Sequence, residues 1–175
     1  MSPELTGRTF NLTPSESVRV LRDEPEVIEV EGSWGPSGSP PPKHFHPAQD
    51  ERFEVLEGVL TARVDGEQRE LRPGDVLEIP RGAVHQMWNA AGTPARATWQ
   101  TSPAGRTGQW FEAIDQLRGS GRVGRNGMPG PLAFGAYLTE YRDVFRLAGP
   151  QPVVSPALKL LGTLGRLKGY RPKNG

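Results

Sequence analysis

The stretch that decides the fold runs from Gly38 to Gly58, Gly38-Ser-Pro-Pro-Pro-Lys-His44-Phe-His46-Pro-Ala-Gln-Asp-Glu51-Arg-Phe-Glu-Val-Leu-Glu-Gly58, and spaces as G-x5-H-x-H-x4-E-x6-G. His44 and His46 are two apart, so on a strand both imidazoles point to one face. Glu51 opens the next extended run and shares its face with Phe53 and Val55, the apolar and therefore inward residues. A carboxylate on an apolar inward face is costly unless it is paired or coordinates a cation. A second stretch, Gly74-Asp-Val-Leu-Glu-Ile-Pro80-Arg-Gly82-Ala-Val-His85-Gln-Met-Trp-Asn89, spaces as G-x5-P-x-G-x2-H-x3-N and supplies a third imidazole, His85, at the start of another strand.

Working outward, residues 17–101 alternate polar and apolar in the manner of half-buried strands. The runs predicted as strands are Ser17–Arg22, Glu26–Trp34, Lys43–His46, Glu51–Glu57, Val59–Asp65, Gln68–Leu71, Val76–Ile79, Val84–Asn89 and Ala95–Thr101. Asp65-Gly66 marks a hairpin, because such a turn needs positive φ. Gly58, Gly74 and Gly82 read as turn residues, Pro80 as a strand terminator and Asn89 as the close of a turn or strand end. The chain holds 22 Gly and 18 Pro among 175 residues, which disfavours a helix bundle. Short strands at this density predict an all-β sandwich or barrel.

After Gly105 the pattern changes. Helices are predicted over Gln109–Leu117, over Leu132–Leu147, and from Ser155, as cap with Pro156 at the first helical position, to Leu167. Gly119–Pro131 reads as a loop. The division expected is a β-barrel domain over residues 1–105 and a helical extension over 106–175 that packs on the barrel or on a partner subunit. Charge divides at the same place: residues 1–105 carry 10 Lys+Arg against 16 Asp+Glu, and residues 106–175 carry 11 against 4. The basic tail therefore complements the acidic body or a partner, and without a reading motif no nucleic-acid partner is expected.

The two spaced stretches match the two motifs of the cupin family at every defining position, over roughly residues 38–89, and the chain resembles a small single-domain cupin with a helical C-terminal extension. The resemblance implies a double-stranded β-helix, a jelly-roll-like barrel, with one divalent metal in its interior. Carried over, the ligands are His44, His46, Glu51 and His85, and cupin barrels commonly form homodimers.

The donor chemistry agrees. With no Cys in the chain there is no disulfide, no thiolate metal site and no Cys nucleophile. All three His of the chain occupy motif positions. Three imidazoles and a carboxylate suit Fe, Mn, Ni, Cu or Zn better than Ca or Mg. Four protein ligands on a six-coordinate cation leave two positions open, as catalysis needs. The expected function is a metal-dependent oxygenase acting on a small oxygen-rich organic molecule, with Glu51 able to serve as catalytic base. The alternatives are a metal-dependent isomerase or lyase, or a non-enzymatic small-molecule binder. Trp34, Phe53, Met87 and Trp99 fall on inward faces, as pocket lining or as plain core, while Gln49 and Asp50 are either outer partners of the site or a solvated loop. The N-terminus lacks basic and apolar stretches and no run approaches the roughly 18 apolar residues of a spanning helix, so a cytoplasmic protein without membrane contact is expected.

Overall fold

The computed structural model, which describes residues 5–124 and 127–172, opens with an antiparallel meander of β1 (Thr9–Thr13), β2 (Glu16–Glu24) and β3 (Val27–Trp34). The short β4 (His44–Phe45) and the longer β5 (Asp50–Glu57) carry the first motif, and β6 (Leu60–Val64) and β7 (Glu67–Leu71) form the expected hairpin. Its two loop residues both have positive φ, 48° at Asp65 and 94° at Gly66, the pair of left-handed conformations that a tight hairpin of this twist demands. Next come β8 (Val76–Ile79), β9 (His85–Trp88) and β10 (Ala95–Ser102). The tail folds as α1 (Thr107–Gly119), α2 (Pro131–Glu140), β11 (Arg146–Leu147) and α3 (Gln151–Leu167).

Two antiparallel sheets result, one ordered β1-β2-β3-β10-β5-β8 and the other β11-β4-β9-β6-β7. Alternation along β3, β5 and β10 turns Trp34, Phe53, Val55 and Ala97 toward Leu60, Ala62 and Met87 of the opposite sheet, and these residues form one buried cluster. Each such Val, Leu or Phe contributes about 1.5–3 kcal/mol by leaving water. The two facing antiparallel sheets are the double-sheet architecture that the resemblance implies, with helices added at the C-terminal end. Between β5 and β6 the chain reverses at Gly58, whose φ is 75° and where a Cβ would strike the Pro94 carbonyl.

Three features differ from expectation. First, β1 precedes the predicted strands; only Phe10 is buried and Leu12 and Thr13 partly so, too weak a pattern to read from sequence. Second, the helix predicted over Leu132–Leu147 stops at Glu140. The Arg106 guanidinium takes the Glu140 carbonyl at 2.5 Å and the Asp143 carboxylate at 2.6 Å, and Arg146–Leu147 leave the helix to pair with the open edge of β4. Third, α3 begins at Gln151, not at a Ser155 cap. Pro152 lies in the first turn, where a missing N–H loses no helical bond, and Pro156 falls inside the helix.

The tail is joined to the sheets at named points. Arg8 pairs with Glu112 at 2.7 Å, the Asn11 backbone N–H donates to Asp115 at 2.7 Å, and Phe111 enters the cluster of Phe10, Val18 and Ile28. Ile114 and Leu117 of α1 then pack with Ala133 and Tyr137 of α2.

Candidate metal centre

His44 stands opposite His85 in the register of β4 and β9, and His46 follows one residue after β4. One ring nitrogen from each of the three imidazoles falls within 4.8 Å of the others. Glu51, fully buried at the start of β5, reaches the same point: its carboxylate oxygens lie 3.3 Å from His46 Nε2 and 3.0 Å from His85 Nε2. The structure thus brings together all four residues singled out from the sequence.

Each imidazole is oriented from behind. Nδ1 of His44, His46 and His85 lies 2.8, 2.6 and 3.1 Å from the carbonyl oxygens of Pro42, Val144 and Ala83. A carbonyl only accepts, so each Nδ1 carries a proton and each imidazole, in its neutral form, presents the Nε2 lone pair. Trp99 Nε1–H donates to Glu51 Oε1 at 2.9 Å and fixes the carboxylate in the same way.

The electrostatics follow from burial and crowding. Burial, then the nearby His85 and His46, hold the His44 imidazole down at about 3. Burial would raise Glu51, but His46 and His85 outweigh it and bring the carboxyl down to about 2. Burial works against charge on His85 too, and the Glu51 carboxylate overcomes it and raises that pKa. His46 Nε2 and Glu51 Oε2 are both buried without a hydrogen-bond partner among the described residues. His46 Nε2 faces Glu51 Oε1 at 3.3 Å and Glu51 Oε2 faces His85 Nε2 at 3.0 Å, and acceptors this close need a positive charge between them. A nitrogen- and oxygen-liganded transition cation fits that need, and the mixed donor set disfavours Ca and Mg.

The cluster opens on a cavity of about 140 Å³ whose walls are mainly apolar. Trp34, Phe53, Met87 and Trp99 line it and are core residues as well, so both readings of those positions hold. The far wall comes from the tail. Phe145 stacks on His44 with centroids 4.3 Å apart and planes at 14°, and Trp110 stacks on Phe145 at 5.5 Å.

Gln49 and Asp50 have definite jobs outside the site. Gln49 is 2% exposed and its Nε2 donates to the Pro103 and Ala104 carbonyls and to Thr107 Oγ1, which latches the β4–β5 connection to the start of α1. Asp50 accepts from Arg81 Nη2 at 2.6 Å and from the Arg81 backbone N–H at 2.8 Å, tying the two motifs to each other. Asn89 closes the turn after β9 as expected, accepting from the Ala91 N–H at 2.9 Å.

Sequence reasoning missed Val144, Phe145, Trp110 and Glu16. The first acts through its carbonyl, which leaves no mark in sequence, and the two aromatics were assigned to helix faces. Glu16 did carry a signal: it shares a strand face with Val18 and Val20, the same anomaly that singled out Glu51, but the strand was started one residue too late.

Residues 33–101 match the family model described as the cupin domain. With the two motifs and the strand order, this identifies residues 33–101 as a cupin domain. Over 61 residues it is 38% identical to the tetracenomycin polyketide synthase protein TcmJ of Streptomyces glaucescens, a match over 35% of this chain and 41% of that protein. Over 56 residues it is 41% identical to quercetin 2,3-dioxygenase of Bacillus subtilis, covering 32% of this chain and 17% of that enzyme. The chain thus spans less than half the length of these relatives. Among solved structures, an RmlC-like cupin from Shewanella frigidimarina superposes with a TM-score of 0.52 at 20% identity, covering 61% of this chain and 93% of that one, which is a likeness of fold. No helix of the described residues is long and apolar enough to cross a membrane.

Proposed function

We propose that the chain is a metal-dependent oxygenase that binds one divalent transition metal, Fe, Mn, Ni, Cu or Zn, through His44, His46, His85 and Glu51, and acts on a small oxygen-rich organic molecule. One observation carries the reading: three Nδ1 atoms tied to carbonyls leave three Nε2 lone pairs converging beside a buried carboxylate. Oxidoreductases among the matched relatives, the dioxygenase included, support the reaction class.

When bound, such a metal supplies Lewis acidity and a route for electrons between a substrate oxygen and O2. The protein does the rest. Phe53, Trp99, Phe145 and Met87 hold an apolar body and keep water from it. Glu51 Oε2, which has no hydrogen-bond donor among the described residues, takes the proton released when an enol or phenol binds as its anion, while Trp99 steadies Oε1. Exposed Val153, Leu160, Leu164 and Leu167 along α3 support a homodimer as part of the same reading.

The test is to load the purified chain with each metal under argon, add enediols, β-diketones and phenols, admit O2 and follow its uptake. Uptake that needs both substrate and metal is the expected result. Substrate conversion without O2 uptake replaces the oxygenase with an isomerase or lyase, and no conversion with any metal sinks the enzymatic reading.

A further inference from the structure

In the wall of the same cavity as the histidines, the sheet formed by β2 and β3 presents a second polar pair. Glu16 and Trp34 are register partners, so their side chains stand side by side on one face, and both line the cavity. Trp34 is 5% exposed, and its Nε1 is buried with no hydrogen-bond partner among the described residues. No basic side chain pairs with Glu16 among the described residues, and the neighbouring wall is apolar, built from Leu12, Ile114 and Phe134. Burial lifts the Glu16 carboxyl to about 7, and the adjacent Trp34 N–H offsets only part of that rise. A buried indole N–H that reaches no acceptor in bonding geometry, with a half-buried carboxylate beside it, is a cost that folding alone gives no reason to keep.

We propose that Glu16 and Trp34 form a second binding station, which takes the hydroxyl group of an aromatic ligand whose opposite end lies at the histidine cluster. The two partners select the group. Trp34 Nε1–H only donates, and the Glu16 carboxylate accepts. A hydroxyl satisfies both at once, accepting from the indole and donating to the carboxylate. An ammonium offers the indole no lone pair, and a ligand carboxylate would be repelled by Glu16. The body of the ligand follows from the walls, which are rich in Trp and Phe, and from the volume of about 140 Å³, close to that of the roughly 150 Å³ cavity known to hold a benzene ring. Only the placement of the other end rests on the proposed function.

The experiment compares catechol with hydroxyquinol, which adds one hydroxyl across the ring, by anaerobic calorimetry on the zinc-loaded full chain. Hydroxyquinol is expected to bind about tenfold more tightly, as one or two buried hydrogen bonds allow. In Glu16→Met and in Trp34→Phe that preference should fall to within about twofold, while catechol affinity and zinc content hold. A readout that needs no variant is the ¹⁵N-indole resonance of Trp34 in the wild-type chain, which should shift with hydroxyquinol and stay in place with catechol. Equal affinities in the wild type, or a preference that survives in both variants, overturn the station. If the chain takes up none of Fe, Mn, Ni, Cu and Zn, the proposed function fails, and the station is read from the same preference in metal-free protein.

Discussion

His46 Nδ1 lies 2.6 Å from the carbonyl oxygen of Val144, 98 residues further along the chain. A side chain of the barrel's first motif is therefore oriented by the tail, and Phe145, the next residue, stacks on His44. The pairing of β11 with β4 puts both contacts in register. Truncating Phe145 to Ala should weaken metal binding about 10–100-fold, the usual effect of losing an outer support of a metal ligand. Phe145→Leu, which keeps the apolar cover but not the stack, should fall between. Competition against a chelator of known affinity measures both, and wild-type affinity in Phe145→Ala would separate the tail from the site.

What could be read from sequence was whatever lies close together along the chain. Two-residue spacing placed His44 and His46, alternation put Glu51 inward, and Asp65-Gly66 fixed a hairpin. The errors arose where long-range partners decide local structure. Tyr141–Leu147 continue an apolar period of 3.6, yet Arg106, far upstream, takes the Glu140 carbonyl and β4 offers the next residues an edge. Gln49 sits in a polar stretch that looks solvated, and only the fold brings the Ala104 carbonyl and Thr107 to it.

Removing one imidazole should cost more than removing its support. His85→Ala takes away one of the converging nitrogens and leaves Glu51 Oε2 without its neighbour at 3.0 Å. Metal per chain after dialysis should fall below about a tenth of the wild-type value, since a three-donor remainder binds far more weakly. Elemental analysis reads it directly. Gln86→Ala, next in sequence but bound to the Pro41 carbonyl and outside the cluster, should retain its metal.

In the metal-free chain, acid stability should follow His44 and Glu51. His44 falls from an ordinary 6.5 to about 3 on folding, and Glu51 from 4.5 to about 2. In both cases the unfolded chain binds the proton first as pH drops, so stability is complete above the unfolded value and is lost on approaching the folded one. His85 is raised instead, and its contribution is complete below 6.5 and lost as pH climbs through its folded value. Tm should accordingly fall from pH 6.5 toward 3, His44 acting over the whole window and Glu51 only below 4.5. His44→Asn should flatten the upper part, and a slope unchanged between pH 6.5 and 4.5 would refute the assignment.

At the β5–β6 turn, Gly58→Ala should destabilise the fold by more than about 2 kcal/mol, because a left-handed φ is unfavourable for Ala and the added methyl meets the Pro94 carbonyl. Urea unfolding compares it with Gly66→Ala, where the same backbone strain applies but no atom lies within 4 Å of the new methyl. A clash that matters makes the first variant the less stable of the two.

Glu16 should show its burial as a stability cost at alkaline pH. Its carboxyl rises from 4.5 to about 7 on folding, so the folded chain holds that proton longer, and the contribution present below 4.5 is lost as pH climbs toward 7. The Trp34 N–H beside it lowers the pKa but does not cancel the effect of burial. Glu16→Gln keeps the shape and removes the ionisation. Its Tm relative to the wild type should therefore be higher at pH 8 than at pH 4, by a few degrees. A difference that does not depend on pH would mean that the Glu16 carboxyl meets water freely and does not face into the cavity.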